Sequence, residues 1–201
     1  MLLYGHEDSG HAYKVRLFLL MAQVAHEYQR IDLSQPRAER PVAFQAVSKF
    51  GEVPVLMNGE QVLCQSNAIL MHLAQKTGQF SGAEGEWQTI VEWLFWEPNR
   101  INFAVPNLRF AKRWAPQPEP VIDYLTQRAL ADLATLDRHL ASQTYLLPSG
   151  FSIADISCAS YLHWADEAGL DLQPFLHVRR WLSDMSQLPH WQHPYLAQQA
   201  S

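Results

Sequence analysis

Only two of the 201 residues are cysteine, Cys64 and Cys158, and neither belongs to a Cys-x-x-Cys pair or stands beside a histidine cluster. That scarcity argues against a disulfide framework and against a thiolate zinc site; it suits a reducing compartment, the cytoplasm, with both thiols buried. Long apolar runs are also missing. The longest, Leu17 to Ala22, is far short of the ~18 residues that span a membrane, and the opening MLLYGHEDSG has no positively charged lead, so neither a membrane anchor nor a signal peptide is expected. Positive charge is scarce too: 15 Lys and Arg face 20 Asp and Glu, a net charge of -5, which provides no basic field for nucleic acid. What is abundant is apolar and aromatic mass, 48% and 11% of the chain, enough for a well-filled core.

The first 77 residues alternate strand and helix signals. Leu2 to Tyr4 is a short apolar strand, followed by a polar turn ending at Ser9-Gly10. Val15, Phe18, Leu19 and Ala22 recur at helical spacing and predict a helix over about 11–24, with Lys14 and Arg16 elsewhere on its surface. His26 to Ile31 alternates as a strand, Pro41 to Val47 reads as a weak helix, and Val53 to Met57 with Gln61 to Cys64 form a hairpin about Asn58-Gly59. Ser66 is placed to cap a helix carrying Ala68, Ile69, Leu70 and Leu73. The order βαβαββα calls for a small mixed sheet with helices packed on it.

Residues 78–85 are polar and glycine-rich and read as a linker; the remainder, 86–201, shows no convincing strand. Trp87, Ile90, Val91, Leu94 and Phe95 mark a helix in the segment 86–114, which Pro98 and Pro106 should kink or break. Ile122, Leu125, Ala129, Leu133, Leu136 and Leu140 mark another over Val121 to Leu140. Phe151-Ser152-Ile153-Ala154-Asp155-Ile156 combines a capping box with a hydrophobic staple, which makes Asp155 a structural residue. A piece from Phe175 to Met185 and a tail from His190 to Ala200 complete the chain. His190 and His193 stand at ligand-like spacing, but proline flanks both and a third ligand is missing nearby, so a surface tail is expected rather than a metal site.

Three local signals then combine: Ser9-Gly10-His11 with Lys14-Val15-Arg16, GEVPVL at residues 51–56, and QSNAIL at residues 65–70. With the SIADIS box in the helical half, they make the chain resemble the cytosolic glutathione transferases over nearly its whole length, in a bacterial, serine-dependent style. The resemblance implies an α/β thioredoxin-like domain over residues 1–77 that binds glutathione, and an all-α domain that holds a small hydrophobic electrophile. It also implies a C2 homodimer, with glutathione as co-substrate and no metal.

Residue by residue, the resemblance implies a cis bond before Pro54, with Glu52, Val53 and Pro54 presenting backbone to an extended peptide. Gln65 and Ser66, between a strand and a helix N-terminus, suit the γ-glutamyl end: free N–H groups and the helix dipole attract its carboxylate, and the Gln65 carbonyl accepts from its ammonium. Some classes carry an acid at the position of Gln65, and a carboxylate from a second subunit could serve instead. Arg40 is the expected cation for the glycyl carboxylate, with Arg37 as rival. Ser9 is the expected thiolate stabiliser, with Tyr4 as rival, and His11 either donates to sulfur or caps the first helix. The electrophile is expected against Trp96, Arg100 and Phe103. Besides conjugation, two readings remain open: glutathione-dependent reduction of disulfides or peroxides, and a non-catalytic interaction module on the same fold.

Overall fold

Leu2–Gly5 forms β1, the strand from which the first half is built. It pairs in parallel with β2, Glu27–Arg30, through Leu2 opposite Glu27 and Tyr4 opposite Gln29, and antiparallel with β3, Val55–Asn58, through Leu3 opposite Leu56. β3 pairs antiparallel with β4, Gln61–Cys64, so the sheet runs β2-β1-β3-β4. Asn58 opposes Gln61, which makes Gly59 and Glu60 the centre of the hairpin turn, one residue later than expected, and of these only Gly59 has positive φ, at 63°. Three helices accompany the sheet: α1, Gly10–Met21; α2, Val42–Val47; and α3, Ser66–Thr77. A thioredoxin-like βαβαββα unit results.

The structure is a computed structural model that describes residues 1–197. They fall into two units, Met1–Gln79 with the tail from Pro189, and Phe80–Leu188. The tail was expected with the helical half but groups with the first unit, where the buried Tyr13 hydroxyl donates to the Gln192 carbonyl at 2.8 Å. The end of the expected tail, beyond residue 197, lies outside the described residues.

α1 differs from its expected single stripe, because nearly its whole circumference is buried, Lys14 and Arg16 included. Long stems make that possible: the Arg16 guanidinium lies 4.0 Å above the Tyr28 ring, and Lys14 Nζ donates to Asn67 Oδ1 on α3 at 3.2 Å. Of the two thiols, Cys158 is buried and Cys64 is only half-buried at the end of β4.

The second unit is helical: α4, Trp87–Asn99; α5, Ile101–Arg113; α6, Glu119–Leu140; α7, Ile153–Ala159; and α8, Leu176–Ser186. The expected proline break falls elsewhere. Pro98 lies within the last turn of α4 and Pro106 inside α5, while Arg100, at φ -122° and ψ -109°, is the residue that ends one helix and starts the next. Arg128 of α6 fastens that junction by donating to the Asn99 carbonyl at 2.7 Å, a terminal acceptor that α4 itself leaves open. The capping box forms at α7, with Asp155 accepting from Ser152 N–H and Oγ at 2.9 and 3.0 Å, and further from Leu146 N–H and the Trp181 indole at 2.8 and 2.9 Å. Among the described residues no helix is long and apolar enough to cross a membrane.

Candidate functional site

The turn between β1 and α1 places Ser9. β1 ends at Gly5, where a Cβ would stand 2.7 Å from the Tyr28 ring, so a bare backbone is needed there. His6 Nδ1 then accepts from the Asp8 N–H at 3.0 Å, and the His6 carbonyl accepts from the Ser9 N–H at 3.0 Å. Arg30 of β2 donates through Nε to both Glu7 carboxylate oxygens, at 2.7 and 2.8 Å, and ties the turn to the sheet. Burial alone would raise the Glu7 carboxyl, but its backbone bond and Arg30 hold it below the usual carboxylate range.

Ser9 itself, buried, is the N-cap of α1, and its Oγ accepts from the Ala12 N–H at 3.2 Å. That contact uses an oxygen lone pair and leaves the hydroxyl hydrogen to donate. His11 is the second residue of α1 and does not cap it, since Ser9 does. The rival Tyr4 belongs to the core: it is 3% exposed, packs with Ile31 and Val55, and its ring meets Phe44 at 5.6 Å.

The bond between Val53 and Pro54 is cis, as the resemblance implied. The sheet ladder begins at Val55, so the Val53 backbone takes no part in it. Glu52 is fixed from Ser48, whose Oγ accepts from the Glu52 N–H at 3.0 Å and donates to its carbonyl at 3.1 Å. Across β4, Gln65 holds φ 69°, a region side chains rarely adopt, and is the N-cap of α3 without a side-chain cap bond. Ser66, expected as the cap, is instead the first residue of the helix and is buried. The first turn of α3 thus presents backbone N–H groups that no capping side chain covers.

The two arginines have different surroundings. Arg40 gives its guanidinium to loop carbonyls, Gly51 at 2.6 Å, Gln35 at 3.3 Å and Leu33 at 3.4 Å. Among the described residues Arg37 donates to the exposed Glu52 carboxylate, at 3.3 Å. Sequence reasoning favoured Arg40, and nothing in the linear pattern reveals that the loop consumes its donors.

In the second unit, Trp96 meets Trp93 edge-on at 5.3 Å, and Trp93 meets His139 of α6 at 4.9 Å. Arg100 is the exposed junction residue, and Phe103, 38% exposed, lies beneath the Arg128 guanidinium at 5.1 Å. Burial raises the Asp132 carboxyl on α6, while the charges of Arg100 and Arg128 oppose that shift. Arg128 and Asp132 are functional candidates that the sequence reading missed; their signal, charge interrupting the apolar stripe of a long amphipathic helix, was present but reads as an ordinary solvated face. Among the described residues no group of three or more His, Cys, Asp or Glu side chains is placed to hold a metal ion.

The chain thus joins a thioredoxin-like unit, with a cis-Pro turn and a serine as N-cap of its first helix, to a helical unit, the two-domain class that the family models then identify. The sequence model of the glutathione S-transferase N-terminal domain matches residues 3–81, and that of the C-terminal domain residues 104–193. The chain belongs to the glutathione S-transferase family. It is 28% identical to the disulfide-bond oxidoreductase YfcG of Escherichia coli (strain K12), over 90% of this chain and 86% of that protein. A crystal structure of a glutathione S-transferase from Pseudomonas fluorescens Pf-5 is 29% identical with a TM-score of 0.89, covering 96% of this chain and 98% of that one. A second transferase family member from the same source, with two glutathione molecules bound, shares the fold at 22% identity and a TM-score of 0.81, covering 94% and 89%.

Proposed function

We propose that the chain binds glutathione in its first unit and activates the thiol as a thiolate for transfer to a small electrophile. The observation that carries this is the Ser9 hydroxyl: capping α1 through its oxygen, it keeps a hydrogen to donate at the helix N-terminus, while its rival Tyr4 is spent in the core. A free thiol near pKa ~8.5 is only a few per cent ionised at pH 7, and lowering that by ~2 units takes about 2.7 kcal/mol of selective thiolate stabilisation. One hydrogen bond to a charged acceptor supplies ~1.5–3 kcal/mol, and the dipole of α1 adds to it.

The thiol proton leaves to solvent; the sulfur lone pair then forms the bond to an electrophilic carbon, and the leaving group departs with its bonding pair. Val53 holds the peptide backbone, the open N–H groups at the start of α3 together with the Ser66 hydroxyl take the γ-glutamyl carboxylate, and Gln65 accepts from the ammonium. The glycyl carboxylate goes to the Arg37 and Arg40 loop. Arg40 shapes that loop through its carbonyl contacts, and Arg37, paired at the surface with exposed Glu52, is the cation that exchanges partners. His11 supports the thiolate from the first turn of α1. Trp96, Arg100 and Phe103 receive the electrophile, and a homodimer in the cytoplasm is the working form.

A second reading is favoured by the similarity to a disulfide-bond oxidoreductase. There, two glutathione molecules would reduce one disulfide, yielding glutathione disulfide and two thiols, at the same tripeptide site. Titration calorimetry with glutathione on wild type and Ser66→Ala tests the common core: binding in the micromolar-to-millimolar range, weakened about tenfold by the substitution, is expected. Product analysis with an aryl halide and with a small dialkyl disulfide then separates the readings. No binding to wild type contradicts both.

A further inference from the structure

The turn that delivers Ser9 is built on a histidine. His6 is 9% exposed, and two of its acceptors face this turn: its carbonyl accepts from the Ser9 N–H and its Nδ1 accepts from the Asp8 N–H, each at 3.0 Å. An acceptor nitrogen carries no proton, so Nδ1 is bare and the ring hydrogen of the neutral imidazole belongs on Nε2. The Nε2 hydrogen faces the Glu7 carboxylate, whose Oε1 stands 3.8 Å away, while the Arg30 guanidinium nitrogen Nη2, 3.3 Å from Nε2, only donates and in this tautomer is a close neighbour rather than a hydrogen-bond partner. Protonating Nδ1 would set an N–H against the Asp8 N–H and would add a cation beside Arg30. The turn as folded therefore requires the neutral ring.

We propose that His6 is a positioning residue for Ser9, whose unprotonated Nδ1 sets the turn that aims the Ser9 hydroxyl at the glutathione sulfur and makes thiolate formation depend on a second titrating group. This rests on the reading of Ser9 given above. The charged groups that face the ring are Glu7 and Asp8 from the turn, Arg30 from β2 and Asp32 just beyond it. Burial lowers the imidazole below its ordinary value; Glu7, Asp8 and Asp32 pull upward and Arg30 pulls downward with burial. The sign is then fixed. The unfolded chain takes up this proton near pH 6.5 and the native turn resists it, so the turn is fully formed above that pH and loses support as pH falls below it.

The test combines four proteins and two readouts. In wild type labelled at histidine and amide nitrogen, NMR is expected to show the Nε2–H tautomer for His6, and the Asp8 amide shift and exchange protection should change in step with His6 protonation. In ultraviolet difference spectra of bound glutathione, His6→Leu, which removes the acceptor, is expected to lower the thiolate fraction at pH 7 several-fold with glutathione affinity little changed. His6→Asn, whose Oδ1 can accept from Asp8 N–H and does not titrate, should restore that fraction and reduce the acid limb from a two-proton to a one-proton dependence. An Asp8 amide that ignores His6 protonation, or His6→Asn and His6→Leu both showing the wild-type pH profile, overturns the proposal. Wild-type thiolate in Ser9→Ala, with the Asp8 amide still following His6, overturns instead the Ser9 reading beneath it.

Discussion

Ser9 has one observed task and one proposed task, both through its hydroxyl, and one substitution removes both. Its oxygen caps α1, and in the proposed function its hydrogen donates to sulfur, so Ser9→Ala is expected to cost ~1 kcal/mol of stability for the cap and ~1–2 units of thiol pKa for the lost donor. Ser9→Thr keeps the hydroxyl and should retain most of both, which thermal unfolding and a thiol titration of the complex would check. At the same scale, Gly5→Ala drives a methyl to within 2.7 Å of the Tyr28 ring and should destabilise by ~1–3 kcal/mol, read as a lower unfolding midpoint. The place of Ser9 between a strand and a helix was legible from the apolar run before it and the helical spacing after it. The contacts of Arg40 were not legible, because a guanidinium's partners depend on the path of the loop around it, here the carbonyls of Leu33, Gln35 and Gly51, and no spacing encodes that path.

Among the elements, α7 shows how much a short helix can carry. Burial pushes the Asp155 carboxyl up to about 6, although four donors from Ser152, Leu146 and Trp181 favour the ionised form. Because the native carboxyl takes its proton at a higher pH than the unfolded chain's, its pH-linked contribution is fully present below about 3.8 and is lost as pH rises to about 6. Asp155→Ala leaves the Leu146 N–H and Trp181 indole unpaired in the interior and should cost ~3–5 kcal/mol, of the order of 10 °C in midpoint, and it should flatten the pH dependence between those values. Calorimetric unfolding at several pH values checks both. The capping box was readable because it is local, four residues long. The α4–α5 break was not: Pro98 and Pro106 are tolerated inside their helices, and the junction is set at Arg100, with Arg128 from α6 closing the end of α4. The hairpin shows the smaller error of the same kind, since pairing Asn58 with Gln61 moved the turn onto Gly59 and Glu60.

For the whole molecule, the order of elements and the change from mixed sheet to helices could be read from periodicity, because two short repeats, 2 and 3.6 residues, distinguish them. Membership of the tail could not. Residues from Pro189 join the first unit through contacts such as Tyr13 to Gln192, a pair 179 positions apart, and only tertiary packing brings such residues together. Tyr13→Phe removes that buried bond and should lower stability by ~1 kcal/mol, a shift of roughly 2–4 °C in thermal unfolding.

The measurement that tests the account most directly is the ultraviolet difference spectrum of glutathione bound to wild type and to Ser9→Ala, titrated from pH 5 to 9. The account predicts a bound thiol that ionises ~2 units below its free value near ~8.5 in wild type, and close to that free value in Ser9→Ala, with glutathione still bound in both. A bound thiol in wild type that ionises like free glutathione, or an equal thiolate in both proteins, would contradict it.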